Sequence, residues 1–157
     1  MITCLEHYSE WAHHVEGKKL QGVKGLLYAY EFPDIDHPQQ LQFVFADSKN
    51  VGVFKCAKDG STLEIANLPM QENDLGEYGK ELIIDISEHP MLSECISETL
   101  QEVYSVFSKE ERTYVGLMLK FSNECEIFIL NIGDELNMFK SLPLAYEQKE
   151  GIIFKKI

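Results

Sequence analysis

Residues 41–65, LQFVFADSKNVGVFKCAKDGSTLEI, predict three short antiparallel strands joined by two tight turns. The first apolar segment alternates, with Leu41, Phe43 and Phe45 on one face, which is typical of a strand with one buried side. The Asp-Gly pair at 59–60 lies between the second and third segments, and this dipeptide is a strong short-range signal for a hairpin turn. We therefore predict a β-meander in this stretch.

A second copy of the pattern occurs at residues 117–139, LMLKFSNECEIFILNIGDELNMF. Further segments match in the same order: 20–23 with 100–103, 45 with 121, 63 and 65 with 136 and 138, 68–70 with 142–144, and 80–84 with 149–153. Matches that keep their order, with only loop lengths changing between them, are typical of internal repeats. We therefore predict two repeats, at about residues 3–87 and 88–157.

The repeat unit determines the predicted fold class. Each copy comprises a short helix, a strand, a three-stranded meander, a loop and a further strand. One such sheet exposes an apolar face that it cannot bury alone. Two copies related by a pseudo-twofold axis can cover each other, as the subunits of an isologous dimer do. The prediction is an α+β, mostly β fold in which two pseudosymmetric repeats pack as one antiparallel domain over residues 1–157.

The helical segments of the two copies differ in how clearly the sequence defines them. Residues 3–16 carry apolar groups at helical spacing, with Thr3 as N-cap and Glu6 completing a capping box. Residues 91–107 also fit a helical period, but the second half of this segment is rich in strand-forming residues. The repeat favours a short helix to about Glu98 followed by a strand, and a single long helix is the alternative.

Three other segments complete the prediction of secondary structure. Residues 19–30 read as a strand that is bulged or bent by its glycines. Residues 80–87 predict another strand. A polar loop is expected after the Leu-Pro-Leu at 142–144, and residues 151–157 predict a last strand.

The composition restricts the classes of partner. The formal net charge is −12, and Arg112 is the one arginine of the chain. Nucleic-acid binding depends on clustered Lys and Arg, and anionic membranes repel acidic proteins, so we expect neither kind of partner. The same charge favours and steers a basic protein partner. The sequence leaves the oligomeric state open.

The sequence also suggests a cellular location. No stretch approaches the ~18 consecutive apolar residues of a membrane span, and the first residues lack a basic segment followed by an apolar one. We therefore expect a cytoplasmic protein. Cys4, Cys56, Cys95 and Cys125 are widely separated and form no Cys-x-x-Cys pair, so we predict reduced thiols.

Sequence signatures of catalysis are missing. None of the GxGxxG, P-loop, HExxH or GxSxG patterns occurs. The carboxylates at Asp59 and Asp134 lie beside glycines in predicted turns, which already accounts for their presence. We predict a protein that is not an enzyme and that has no catalytic residues, no metal and no cofactor.

Candidate functional residues are sought where the two copies differ, because matched residues chiefly specify the fold. The largest differences are residues 31–40 and 71–79. Both are acidic, and the second carries an aromatic side chain that is expected to be exposed, which suits a basic partner. The predicted partner-binding residues are Glu72, Asp74, Glu77, Tyr78, Asp34 and Asp36.

An alternative hypothesis uses some of the same residues. Asp34, Asp36 and His37 have the chemistry of metal ligands. They could serve a small-ligand-binding protein or a metal-dependent enzyme whose pocket lies between the two repeats.

In its size, its acidity and its lack of motifs, the chain resembles the small immunity proteins of bacterial toxin–immunity systems. Many members of that class neutralise basic nuclease toxins by covering the active site with an acidic surface. The resemblance implies a non-catalytic protein that masks a cognate toxin, for example a nuclease.

Overall fold

A computed structural model describes residues 3–49 and 52–157 as two antiparallel β-sheets and two α-helices. Strands account for 46% of the residues and helices for 16%, which confirms the mostly-β prediction. Residues 50 and 51 of the predicted meander, between its first two strands, lie outside the described residues. Within the described ranges, neither helix is long and apolar enough to cross a bilayer.

The first sheet has six strands in the spatial order β4-β3-β2-β1-β6-β5. In chain order they are β1 (Leu20–Ala29), β2 (Gln40–Phe45), β3 (Val53–Cys56), β4 (Leu63–Ala66), β5 (Asn73–Asp74) and β6 (Lys80–Asp85). The predicted meander therefore forms β2 to β4. The predicted bulge is also present, because the pairing of β1 with β2 shifts register between Leu20 and Gly22.

The second sheet has five strands in the spatial order β10-β9-β8-β7-β11. In chain order they are β7 (Leu100–Ser108), β8 (Thr113–Phe121), β9 (Glu126–Ile132), β10 (Glu135–Phe139) and β11 (Ile152–Lys156). Strand β7 pairs with β8 on one side and β11 on the other, as β1 pairs with β2 and β6.

Helix α1 (Cys4–Val15) closes one side of the core. Thr3 and Glu6 form the predicted capping box, in which each side chain bonds the other residue's backbone N–H. Trp11 is 2% exposed, and its ring packs edge-on against Phe54 with centroids 5.0 Å apart. Because the apolar face of α1 meets residues of both sheets, the helix joins the core that the sheets share.

That core lies between the inner faces of the sheets. It draws on alternate residues of β2 such as Leu41 and Phe43, and on β8 and β9 residues such as Leu117, Leu119 and Ile127. All five are at most 2% exposed. At ~25 cal/mol per Å² of buried apolar area, this shared cluster is the main stabilising contribution to the fold.

Two predictions of helical structure are wrong. The expected short helix before β7 is reduced to a single 3₁₀ turn at Ser93–Cys95, where tertiary contacts outweigh the helical spacing of the apolar residues. Conversely, the loop expected before β11 is a helix, α2 (Leu144–Glu150), which ends at Gly151 with a left-handed φ of +59°. Its residues are good helix formers, and half-buried Tyr146 packs onto the outer face of the second sheet.

The prediction of four reduced cysteines is also wrong. Cys95, in the 3₁₀ turn, forms a disulfide with Cys125, which follows the β8–β9 turn, and their Cα atoms are 6.0 Å apart. Thirty residues separate the two in sequence, so only the fold reveals that they are close. Cys4 and Cys56 are free thiols.

The hydroxyl of Tyr8 provides a first test of how α1 is attached. This side chain is fully buried, and its Oη donates to the Leu63 carbonyl oxygen at 2.5 Å. We expect Tyr8→Phe to lower the free energy of unfolding by about 1–2 kcal/mol, because the carbonyl loses its principal donor. Tyr78→Phe, at an exposed hydroxyl, should change it by less than about 0.5 kcal/mol.

The Tyr8 variant should also alter the pH dependence of stability. Burial raises the pKa of the Tyr8 phenol well above 10. Its contribution is therefore fully present below the unfolded pKa of about 10 and is lost as the pH rises above that value. Urea unfolding at neutral pH and at about pH 10.5 should show a larger loss for the wild type than for Tyr8→Phe. Equal losses would contradict this assignment.

The disulfide provides a second test of the fold. Closing a loop of 30 residues should contribute about 3–4 kcal/mol through the entropy of the unfolded chain. Reductant should therefore lower the urea midpoint of the wild type but leave that of Cys95→Ser/Cys125→Ser unchanged. Thiol titration of the unreduced protein in denaturant should find two thiols, and a count of four would rule the bond out.

Candidate protein-binding surface

The two segments that the sequence comparison singled out lie side by side at one end of the first sheet. Strand β1 leads into the first segment, and β6 follows the second. Ala29 pairs with Lys80 in the β1–β6 ladder, so the adjoining residues Tyr30 and Gly79 are also neighbours. We call residues 30–37 and 72–79 together the two-loop surface.

Exposed aromatic side chains are the main feature of this surface. Phe32 is 82% exposed, Tyr78 69% and Tyr30 68%, and Ile35 and Leu75 add further accessible apolar area. Three rings left in water within two adjoining loops exceed the scattered single apolar residues that are normal on a protein surface. Such a group is typical of a protein–protein contact region.

Backbone contacts hold the two loops together. The Tyr28 hydroxyl donates to the carbonyl oxygen of Tyr78, which joins β1 to the second loop. Within the first loop, the Asp34 N–H donates to the Tyr28 carbonyl oxygen at 3.0 Å. Within the second, the Leu75 N–H donates to the Gly79 carbonyl oxygen at 2.8 Å. The exposed rings are therefore carried on ordered backbone, which lowers the entropic cost of binding.

The predicted acidic residues play two different roles on this surface. Glu72 accepts a hydrogen bond from the Ile83 N–H, and Asp74 accepts one from the Gly76 N–H, both at 2.9 Å, so these two carboxylates support the second loop. Glu77 and Glu31 are exposed and have no hydrogen-bond or ion-pair partner among residues 3–49 and 52–157. These two are free to meet a partner.

Asp34 and Asp36 each contact a histidine. An Asp34 carboxylate oxygen lies 3.1 Å from His37 Nδ1, and this hydrogen bond raises the pKa of His37. Asp36 Oδ1 lies 3.2 Å from His89 Nε2. The surface nevertheless remains strongly acidic, because residues 30–37 and 72–79 contain six carboxylates and no lysine or arginine.

The alternative use of Asp34, Asp36 and His37 as metal ligands gains no geometric support. Asp34 and His37 contact each other, whereas Asp36 turns toward His89. In the described part of the chain, no group of three His, Cys, Asp or Glu side chains could hold a metal ion.

A cavity of about 330 Å³ does lie between the two sheets, and His37 lines it together with Lys55, Cys56, Asp134 and Glu135. Burial raises the pKa of the Cys56 thiol to about 11. The thiol is therefore protonated near neutral pH and is a poor nucleophile.

A further cavity, of about 590 Å³, is lined by Ser87 and His89 beside Ile86. With Asp36 next to the histidine, these residues suggest a hydrolytic triad. However, His89 Nδ1 accepts the Met91 N–H at 3.1 Å, and Nε2 contacts Asp36. Neither ring nitrogen is left to take a proton from Ser87, whose Oγ instead accepts the Val23 N–H. The arrangement does not activate a nucleophile.

No family model, curated protein or solved structure matches the chain. The chemistry assigned to it therefore comes from its own surfaces and cavities.

The sequence analysis did not name Tyr30 and Phe32, whose side chains are 68% and 82% exposed on the first loop. The available signal was the presence of aromatic residues in a Pro- and Asp-containing loop, where no strand pattern assigned them to the core.

Gly79 gives a test of how this surface is built. Its φ is +102° and its ψ is −154°, and an added Cβ would lie 2.6 Å from the Ala29 carbonyl oxygen. We expect Gly79→Ala to cost about 2–3 kcal/mol of stability and to speed hydrogen exchange at the Leu75 amide. Gly76→Ala is the matched control. Its φ is also positive, but an added Cβ there would have no atom within 4 Å apart from those of its chain neighbours. Equal costs for the two variants would contradict the role of the close contact.

Proposed function

We propose that this chain is a non-catalytic acidic binding protein that masks a basic protein partner. One observation carries the proposal: the two-loop surface presents three exposed aromatic rings among six carboxylates, with no lysine or arginine. Aromatic anchors supply most of the affinity at such contacts, and complementary charge supplies on-rate and selectivity.

In this proposal, the residues of the two-loop surface have three different roles. Phe32, Tyr78 and Tyr30 are the anchors, because each would bury a large apolar area that is now in water. Glu31 and Glu77 face the partner's cations, because no group within residues 3–49 and 52–157 bonds their carboxylates. Glu72 and Asp74 position the second loop while adding to its negative potential.

We propose further that the partner is a bacterial toxin and that the chain is its immunity protein. A toxin that acts on nucleic acid carries clustered Lys and Arg for phosphate contacts. An acidic surface with aromatic anchors is complementary to such a cluster and could cover it. The net charge of −12 supports long-range attraction between the two.

The place of the encounter belongs to the same proposal. A cytoplasmic location remains a prediction from the sequence. The Cys95–Cys125 disulfide instead favours an oxidising compartment, because disulfides persist there and are rare in the cytosol.

We also propose that the two sheets arose by duplication and are related by a pseudo-twofold axis. The hydrogen bonds between them support this, because they occur in reciprocal pairs about the Lys19–Thr99 bridge. The Gly17 and Ser97 N–H groups donate to the carbonyl oxygens of Leu100 and Leu20, at 2.8 and 2.7 Å respectively. Reciprocal contacts of this kind are the mark of an isologous interface.

The pairing of the strands changes one part of the alignment between the two proposed repeats. Lys24 pairs with Asp85, and Tyr104, at the corresponding place on β7, pairs with Lys156. By this pairing, Asp85 of β6 corresponds to Lys156 of β11. That correspondence differs by two residues from the sequence match of 80–84 with 149–153. The matches of 20–23 with 100–103 and of 45 with 121 agree with the register, because both β1 and β7 have a bulge after the leucine that pairs with a phenylalanine.

We expect a neighbouring reading frame to encode a basic protein toxin, and the partner-binding proposal is tested with that protein in an inactive form. Biolayer interferometry should give a specific complex. We expect Phe32→Ala and Tyr78→Ala each to weaken it at least about tenfold, because a buried anchor is lost. Glu77→Lys should slow association and reduce the dependence on salt.

Glu16→Lys is the matched control for charge, since it makes the same change at an exposed residue outside the two-loop surface. It should retain near wild-type affinity. If Glu16→Lys and Glu77→Lys weaken binding equally while the alanine variants have no effect, the two-loop surface is not the binding site.

A further inference from the structure

Strand β11 lies at an open edge of the second sheet. It is the last strand in the order β10-β9-β8-β7-β11, so it pairs with β7 on one side only. Four of its five residues are exposed, and the apolar side chains of Ile153 and Phe154 are 44% and 37% exposed. An edge strand with free backbone groups is a template for pairing with another extended segment.

Alternate residues of β11 direct their backbone groups away from β7. The Ile157 N–H donates to the Val103 carbonyl oxygen at 3.0 Å. At the other end of the strand, the Gly151 carbonyl oxygen accepts from the Lys109 N–H at 3.4 Å. Because bonded and non-bonded pairs alternate in an antiparallel ladder, the odd-numbered residues bond β7 and the even-numbered residues face solvent. The N–H of Phe154 therefore has no acceptor in the described part of the chain.

Strand β6 occupies the corresponding place beside β1, and there the chain closes the edge itself. By the pairing that aligns Asp85 with Lys156, Ile83 aligns with Phe154. The Ile83 N–H donates to the Glu72 carboxylate at 2.9 Å, and β5 pairs with the start of β6. An acidic segment thus occupies on β6 the position that is open on β11.

The path of the chain explains why β11 is left uncovered. Before β6 the chain forms the short strand β5, whereas before β11 it forms α2. The helix packs through Tyr146 on the outer face of the second sheet and adds no strand to its edge. Among the described residues, β11 therefore has no counterpart of β5 or of the Glu72 carboxylate, and a segment of another molecule can take their place.

The charges of this edge define the kind of segment that fits. Lys155 and Lys156 are adjacent and exposed, in a chain whose formal net charge is −12. Lys156 lies 4.0 Å from Glu102, whereas Lys155 forms no ion pair within the described residues. The net charge opposes pairing of β11 with that of a second copy. The two exposed lysines favour a segment that carries carboxylates on the neighbouring strand.

We propose that the edge of β11 binds an extended acidic segment of another protein, which adds to the second sheet as an antiparallel strand, as β5 adds to β6. A backbone carbonyl of the segment accepts the Phe154 N–H. Carboxylates lie opposite Lys155 and Lys156, and apolar side chains lie opposite Ile153 and Phe154. None of these residues belongs to the two-loop surface, so the inference is independent of the basic partner proposed there.

The probe is the capped peptide acetyl-TEEVVT-amide. In an antiparallel register that places its valines opposite Phe154 and Ile153, its glutamates lie opposite the two lysines. Binding is followed by ¹H–¹⁵N NMR and amide hydrogen exchange. The Phe154 amide should exchange rapidly in the free protein and become protected in the complex, whereas the Ile153 amide should be protected in both. Peptides with glutamine or lysine in place of the glutamates should bind at least about fivefold more weakly at low salt.

Two substitutions at Phe154 separate the backbone bond from the side chain. Phe154→Pro removes an N–H that bonds no other group among the described residues, so the protein should remain folded by circular dichroism. Phe154→Ala removes the same ring but keeps the N–H. We expect the proline variant to bind the acidic peptide at least about tenfold more weakly than the alanine variant does, because a backbone hydrogen bond is lost.

A charge reversal tests the edge without altering its backbone. Lys155→Glu should weaken binding of the acidic peptide about three- to tenfold, because an exposed ion pair is replaced by repulsion between like charges. Lys58→Glu is the matched control, since it makes the same change at an exposed residue of the β3–β4 turn. It should retain near wild-type affinity for the peptide.

Three results would overturn the proposal. The first is equal binding of the acidic, neutral and basic peptides, and the second is an unprotected Phe154 amide at about 5 mM acidic peptide. The third is a dimer in analytical ultracentrifugation that Phe154→Pro converts to a monomer, which assigns the edge to a second copy of the chain. Failure of the two-loop surface to bind a basic protein would leave these peptide results unchanged.

Discussion

Four backbone hydrogen bonds join the starts of β1 and β7, and the arrangement of the sheets depends on them. Leu20 and Leu100 each donate through their N–H groups, to the carbonyl oxygens of Glu98 and Lys18, at 3.0 and 2.9 Å. Each also accepts through its carbonyl oxygen from the opposite chain segment. Both leucines are fully buried, so these bonds are formed away from water, where a missing partner is costly.

This junction also sets the backbone around it. Gly17 ends the segment after α1 with a φ of +81°, and Ser97 holds a φ of +72° at the corresponding place before β7. A positive φ is uncommon for serine, so the hydrogen bond from Ser97 to Leu20 offsets a conformational cost. Since the junction places the inner faces of the sheets against each other, the apolar side chains there form the core. Functional groups are left to the loops and outer faces.

Interactions between residues that are close in the sequence made part of the fold predictable. Alternation in β2 identified its buried face, and the Thr3–Glu6 pair identified the start of α1. The Asp59-Gly60 turn also has its expected form: the Asp59 carboxylate accepts from the Ser61 and Thr62 N–H groups. The hydrogen bond from the Thr62 hydroxyl, together with these two backbone bonds, lowers the pKa of Asp59, so the carboxylate stabilises the turn. In each case the deciding contacts lie within a few residues in the sequence.

Other features depend on contacts between distant residues, and sequence patterns did not reveal them. The Cys95–Cys125 bond and the junction of β1 with β7 are of this kind. Helix α2 was missed for a different reason, because the residues after Leu144 were interpreted as a polar loop although they are good helix formers. The candidate surface was located in part, since two loops were named but not the aromatic residues of the first.

The outer faces of the two sheets explain why the candidate protein-binding surface occurs where it does. The chain leaves β4 and β10 to reach β6 and β11, and on the way it covers the outer face of each sheet differently. Over the first sheet, Met70 packs on Leu26 and Val53, and the following residues form loops. Over the second sheet, α2 packs Tyr146 against the cluster of Phe128 and Leu130.

The loops over the first sheet leave aromatic side chains in water, whereas helix α2 covers the outer face of the second sheet. In the first half, the short β5 and the turn after it cannot bury Tyr78 or the rings of the neighbouring loop. In the second half, Glu150 of the helix is only 9% exposed and accepts a hydrogen bond from the Ser108 hydroxyl at 3.3 Å. The two connections thus give similar sheets different surface chemistry: one leaves aromatic side chains exposed between carboxylates, and the other covers the outer face with a helix.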